Sequence, residues 1–231
     1  MGRETGSHRQ TAPSAGVTPV GLETERLVLR QFTTNDADLL FDLDSDPAVM
    51  RFLTGGTPTS REVIQQHILP AFLRSYERLP GFGIWAAIEK ASGDFLGWFG
   101  FRPPDGEGPD TVELGYRLRQ ATWGQGYATE GARALIRKGF TELGVRRVLA
   151  TTYQDNRASR RVMEKAGMTL VRSYRLTPGD LLAKDTFDST SLDVWVGDEV
   201  EYALLQADWE QQEQRATPDE QVAQAKNTIS K

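Results

Sequence analysis

The sequence predicts an α/β fold, and three stretches predict it. Val112, Leu114, Tyr116 and Leu118 alternate with Glu113, Gly115 and Arg117 at the period of two of a half-buried strand. Ala128, Ala132, Leu135, Ile136, Phe140 and Leu143 then recur at three- and four-residue steps, on one face of a helix that Gly144 stops. A second strand, 146–153, leads into a second helical run that ends at Gly167-Met168.

Taken in order, residues 1–20 are rich in Gly, Ser, Thr and Pro without periodicity and read as a flexible leader. A first strand spans 27–32. Thr33 or Thr34 caps a helix carrying Leu39, Leu40 and Leu43. A capping box from Thr59 to Glu62 starts a second helix, which Pro70 kinks or divides and Leu79-Pro80-Gly81 ends. Strands 83–89 and 95–101 form a hairpin through Ala91-Ser92-Gly93-Asp94, and most of Trp85, Trp98, Phe99 and Phe101 read as sheet core. Residues 102–110 make an exposed loop. Beyond the central strands lie a strand at 169–176, an Asp-rich insertion at 177–197 near an active-site mouth or partner surface, and a last strand at 200–205. The expected organisation is a leader (1–20), one domain (21–209) and a polar tail (210–231) that is a frayed helix or disordered.

Composition excludes several chemistries. With no cysteine among 231 residues, disulfides, thiolate nucleophiles and cysteine metal sites are ruled out, and His8 and His67 alone make a histidine metal centre an unattractive reading. No apolar run approaches the roughly 20 residues of a membrane span, and no apolar signal core opens the chain. A cytoplasmic protein that does not enter membranes is expected.

Between the central strand and its helix stands Trp123-Gly124-Gln125-Gly126-Tyr127-Ala128. Glycines delivered into a helix N-terminus bring free N–H groups and the positive end of the helix dipole together, which suits an anion. A Rossmann fingerprint would need glycine where Thr129 stands, and a P-loop would need Gly-Lys-Ser or Gly-Lys-Thr. The alternative is a plain turn in which glycine supplies unusual dihedrals. From Arg117 to Arg175, thirteen Lys and Arg stand against four Asp and Glu, a balance of +9, so the remainder carries −14 to reach the net −5. That bias suits a ligand with several phosphates, such as coenzyme A, better than nucleic acid, because the whole chain is acidic and lacks base-stacking aromatics along the basic stretch.

The strand ELGYRL, the loop and helix start WGQGYATEG, and N-x-x-S-x-x-V-M-E-K-A-G-M from Asn156 to Met168 together resemble the GNAT acyltransferase superfamily, within it the RimJ/RimL-like branch. Weaker resemblance extends to LETERLVLRQFTTNDADLL and VEYALLQADW. It implies a mixed, strongly twisted sheet of six or seven strands with helices on both faces and a central V-shaped cleft. It implies an enzyme that moves acetyl from acetyl-CoA to a primary amine by direct attack. The Glu113–Leu118 strand, with Leu114, Tyr116 and Leu118, would lend backbone groups to the pantetheine and carbonyl. Trp123, Gly124, Gln125, Gly126, Tyr127 and Ala128 would surround the pyrophosphate, Trp123 and Tyr127 as packing rather than as catalysts. The two N-terminal helices would floor or cover the acceptor between about Met50 and Arg78.

Glu113 is the candidate base, acting through water; the alternative is a solvent-facing strand residue. Asn156 resembles the family asparagine at the cofactor, against a plain turn role. Relatives carry a tyrosine seven residues after that asparagine to protonate the leaving thiolate, and here Met163 stands there. Ser159 becomes the candidate donor, with a helix cap as its other reading. The expected acceptor is a protein N-terminal amine; the alternatives are a small-molecule amine such as an aminoglycoside or polyamine, or a non-catalytic acyl-CoA-binding regulator. No metal and no nucleic acid are expected, and a homodimer through the C-terminal strands is implied by the resemblance alone.

Overall fold

The structure, a computed structural model, describes residues 20–175 and 197–215. Its strands are β1 (Val20–Glu23), β2 (Leu27–Gln31), β3 (Gly83–Glu89), β4 (Phe95–Arg102), β5 (Thr111–Leu118), β6 (Arg147–Tyr153), β7 (Thr169–Arg175) and β8 (Asp198–Leu205). They form one sheet in the order β1-β2-β3-β4-β5-β6-β8-β7. Among the described residues only β5 and β6 pair in parallel; every other neighbour is antiparallel. The expected mixed α/β sheet is present with eight strands instead of six or seven. The unexpected one is β1, a four-residue edge strand with a register shift between Val20 and Leu22. Gly21 lies against the Trp85 ring with no room for a side chain, so packing rather than alternation defines this strand.

Helices α1 (Ala37–Asp44), α2 (Pro47–Met50), α3 (Arg61–Val63) and α4 (Leu69–Arg78) cover one face of the sheet, and α5 (Tyr127–Glu142) and α6 (Arg157–Lys165) the other. Two cores result. Phe32, Leu40, Ile64, Phe72 and Trp98 pack beneath the first group; Leu27, Leu29, Phe99, Phe101, Val148 and Tyr202 pack with the second. The expected core aromatics Trp85, Trp98, Phe99 and Phe101 are all buried. Gly131 and Gly139 let α5 sit directly on the sheet: a Cβ at Gly131 would overlap the Phe99 ring, and one at Gly139 would stand 2.6 Å from Phe101.

The start of α1 follows the expected chemistry. Thr33 caps the preceding turn and its N–H donates to Asp36 at 2.7 Å, while both Asp36 oxygens accept from the Arg30 guanidinium at 2.8 Å. Burial alone would raise the Asp36 pKa, but the Arg30 and Thr33 hydrogen bonds outweigh it and hold the carboxyl below its ordinary value. The second helix is capped by Ser60, whose hydroxyl accepts from the Val63 N–H, and not by Thr59. Thr59 instead turns its N–H back to the Asp44 carbonyl at 3.1 Å, which moves the cap one residue on. Between α3 and α4 the chain makes a π turn over Ile64–Ile68, and the Leu69 N–H bonds to the Ile64 carbonyl. That wider turn lies directly before Pro70, where an α-helical register would press the ring on the Gln66 carbonyl four residues back.

Residues 206–215 are helical, with the Trp209 ring tilted against Phe140 at 5.5 Å between centroids and Arg137 paired with Glu213 at 2.6 Å. Of the expected leader (1–20) only Val20 is described, in β1; the 177–197 insertion up to Val196 and the tail beyond Arg215 lie outside the described residues.

Gly131→Ala should cost about 1–3 kcal/mol through overpacking, read as a lower urea midpoint at unchanged slope. Asp36→Asn should destabilise the protein at neutral pH. Because the folded carboxyl titrates below the unfolded one, its contribution is present above the ordinary carboxylate pKa of about 4 and fades as pH falls through the lower folded value. The stability gap between mutant and parent therefore closes in acid.

Candidate active site

β5 and β6 share three register pairs, Thr111↔Arg147, Val112↔Val148 and Glu113↔Leu149. Beyond them the strands part. β5 stays paired with β4 as far as Leu118, and β6 with β8 as far as Tyr153. The sheet thus opens into a V whose inner edges carry backbone groups with no ladder partner.

Glu113 sits at the last shared pair, half-buried, with the Thr151 hydroxyl 3.5 Å from its Oε1. Alternation along the strand directs it to the α1–α4 face, where Arg117 meets Asp44 of α1 at 2.6 Å. Tyr116 projects to the opposite face, and its hydroxyl lies 3.0 Å from both the carbonyl oxygen and the Oγ of Ser159 on α6. Burial pushes the Tyr116 pKa up, so the phenol stays neutral. The side chains of Leu114 and Leu118 are core; what they can offer a ligand is backbone. The Leu118 carbonyl is already taken by the Trp123 indole N–H at 2.8 Å, which fastens the loop to the strand end.

In the loop, Gly124 and Gly126 have φ of +77° and +87°, the left-handed region that a side chain disfavours. Gly126 is the N-cap residue of α5 and no side chain caps this helix. The Glu130 N–H closes the first helical bond to the Gly126 carbonyl at 3.0 Å, so the N–H groups of Tyr127, Ala128 and Thr129 have no partner within the helix. The Tyr127 side chain is occupied elsewhere: its ring lies 4.2 Å beneath the Arg26 guanidinium and its hydroxyl bonds to Glu89. Arg26 also donates to the Gln125 carbonyl at 3.0 Å and to Glu130 at 2.6 Å.

Asn156 is the N-cap of α6. Its Oδ1 accepts from the Ser159 N–H at 3.2 Å and its amide donates to Thr152 Oγ1 at 3.1 Å. Ser159 is therefore not the cap, because Asn156 already stands in that position, and its hydroxyl is left to Tyr116. Met163 is buried in the core. A cleft of about 360 Å³ adjoins the loop, between Asp42, Leu43, Asp46 and Val49 on one side and Arg119, Gln120 and Ala121 on the other. Many of the basic residues counted between 117 and 175 are spent within the protein: Arg133 on the Lys165 carbonyl, Arg160 on Tyr202 and the Gln154 carbonyl, Arg147 and Arg172 on Glu201. What suits the loop to an anion is the uncapped helix more than that surplus. Among the described residues no three His, Asp or Glu side chains gather as metal ligands, and no helix is long and apolar enough to cross a membrane.

A sheet parted into a V, with an uncapped helix N-terminus beside its mouth, is the framework of an acyltransferase that takes an extended, anionic acyl carrier. The acetyltransferase (GNAT) domain matches residues 26–169, and the chain belongs to that family: it is an acetyl-CoA-dependent N-acetyltransferase. It is 35% identical over 195 residues to the FsC-acetyl coenzyme A-N(2)-transacetylase of Aspergillus fumigatus, covering 81% of this chain and 77% of the relative. Among solved structures it resembles a GNAT-family acetyltransferase from Bacillus anthracis (TM-score 0.62, 26% identity, 80% of this chain and 98% of that one). It also shares the fold of RimL, the ribosomal L7/L12 alpha-N-protein acetyltransferase, solved with coenzyme A (TM-score 0.63, 19% identity, 81% and 98%).

Sequence reasoning did not single out Thr24, Arg26 or Glu130. Their only signal was that TER and ATEG lie in stretches carrying the resemblance; nothing local links positions so far apart.

Proposed function

We propose that the chain binds acetyl-CoA in the V and passes its acetyl group directly to an amine held on the α1–α4 face. The observation that carries this reading is the parting of β5 from β6 beside an uncapped α5. Backbone groups of Leu114 to Leu118 hold the pantetheine, and the N–H groups of Gln125 to Ala128 hold the pyrophosphate. Asn156 keeps the first turn of α6 in place. The thioester supplies an electrophilic carbonyl and a leaving thiolate. Glu113, at the apex of the V on the acceptor side, attracts the ammonium and receives its proton through water. Ser159, held by Tyr116, donates a hydrogen bond to the departing sulfur; a thiol with an ordinary pKa near 8.5 needs that bond more than a full proton transfer.

The RimJ/RimL-like motifs support a protein N-terminal amine as acceptor. A second reading has its own support: the likeness to RimL is one of fold alone, while the 35% identical relative is named for transfer to an N(2) position of FsC. That favours a small-molecule amine. Asp42 and Asp46 in the cleft beside Arg119 suit a cationic acceptor of either kind. A homodimer through the C-terminal strands is supported by Leu170, Val171 and Leu205, which are exposed.

Thiol release from acetyl-CoA across N-terminal peptides, polyamines, aminoglycosides and amine-bearing peptide-like small molecules tests the proposal. Turnover confined to one class is expected and selects the acceptor; no turnover with any amine, despite tight acetyl-CoA binding, contradicts it. With the productive acceptor, Glu113→Gln should lower kcat at neutral pH by about 10²-fold, at the low end for a general base, and flatten the rise of kcat with pH. Ser159→Ala should cost about tenfold or more in kcat, the loss of one hydrogen bond to a charged partner, and leave acetyl-CoA affinity unchanged.

A further inference from the structure

Glu130 poses a problem for an anion site. It places a carboxylate on the first turn of α5, where a bound phosphate would meet repulsion. Both its oxygens are occupied: Oε1 accepts from the Thr24 hydroxyl at 2.5 Å and the Arg26 N–H at 2.8 Å, and Oε2 from Arg26 Nε at 2.6 Å. The β1–β2 turn thus closes on a helix 104 positions away in sequence. The hydrogen bond that Arg26 donates to Glu130 raises the Arg26 pKa, and although burial pushes Glu130 up, the bonds it accepts from Thr24 and Arg26 hold it low.

The same guanidinium has a second arm, and Nη1 donates to the Gln125 carbonyl at 3.0 Å. Its Cζ lies 4.2 Å from the centre of the Tyr127 ring, and a Cβ at Gly126 would stand 3.4 Å from Nη2, so the group lies close against the loop. A trans peptide is planar with C=O and N–H opposed. Gripping the Gln125 carbonyl therefore fixes the Gly126 N–H on the other side of the loop, away from Arg26. Two left-handed glycines would otherwise leave this segment many conformations, and each one frozen on binding costs entropy.

We propose that Arg26 is a positioning residue for coenzyme A phosphates: one guanidinium neutralises Glu130 and locks the Gln125–Gly126 peptide, so the loop is set for a diphosphate before it arrives. This rests on the reading of Gly124–Ala128 as the phosphate loop. Thr24 is the second anchor, holding Glu130 where Arg26 can reach both partners.

The test compares calorimetric binding of coenzyme A with that of acetyl-pantetheine, which lacks the phosphates, in the parent, Arg26→Met, Arg26→Lys and the Arg26→Met/Glu130→Gln double variant, each with its Tm. Arg26→Met should weaken coenzyme A by about tenfold or more, the size of one charge-assisted hydrogen bond, with acetyl-pantetheine unchanged. Arg26→Lys, which keeps the charge but has no fork to span two acceptors, should fall between and covers the case in which the methionine variant does not fold. The double variant should recover only part of the loss, because the Gln125 carbonyl remains unheld. Equal losses for both ligands, no loss in either single variant, or full recovery in the double variant would overturn the positioning role while the phosphate loop stands. A parent that binds coenzyme A no better than acetyl-pantetheine would instead overturn the phosphate-loop reading itself.

Discussion

Everything at this site depends on where β5 and β6 stop pairing. Each strand is held along its outer edge, β5 by β4 and β6 by β8, and the two half-sheets meet at only three parallel pairs. Unpaired backbone in a sheet interior is costly unless water or a ligand satisfies it. A linear molecule with amides of its own, such as pantetheine, is the natural occupant of that gap. Tyr116 spans the gap by bonding to Ser159, so the V has a floor as well as walls.

The V separates two chemistries onto two faces. On the α5–α6 side are the uncapped helix and the Tyr116–Ser159 pair, which suit the phosphates and the leaving sulfur. On the α1–α4 side are Glu113 and the buried Arg117–Asp44 ion pair that joins α1 to β5. In the proposed reaction, carrier and acceptor therefore approach from opposite faces, and the transferred group passes between them. Glycine is used twice over in this arrangement. At Gly124 and Gly126 it gives the loop a backbone shape that other residues resist, and at Gly131 and Gly139 it lets the helix behind that loop press against Phe99 and Phe101. The loop's position is therefore set by packing many ångströms along α5 as well as by its own dihedrals.

Much of the frame was legible because it is written locally. The alternation over 112–118 and the three- and four-residue spacing over 128–143 gave β5 and α5 nearly to the residue, and the Gly-rich loop between them marked the uncapped start of that helix. Other features were hidden for definite reasons. β1 is a short edge strand identified by its contact with Trp85, not by pattern. Ser60 replaces Thr59 as a cap because Thr59 is drawn to Asp44, a tertiary contact. The pairs Arg26–Glu130, Tyr116–Ser159 and Asp44–Arg117 join residues far apart in sequence, and no periodicity can announce such pairs. Net charge misled in part, since many of the arginines that biased the segment bond to protein partners.

The central claim is that one extended ligand runs from the gap between the strands to the N-terminus of α5. Amide hydrogen exchange with and without acetyl-CoA tests it most directly, because exchange reports which backbone N–H groups gain a partner. Protection gathered at Leu114–Leu118 and Gln125–Thr129, with α1 and α2 unchanged until an acceptor is added, is the predicted result. Protection absent from both stretches at saturating acetyl-CoA, or confined to the cleft by Asp42 and Arg119, would contradict the account.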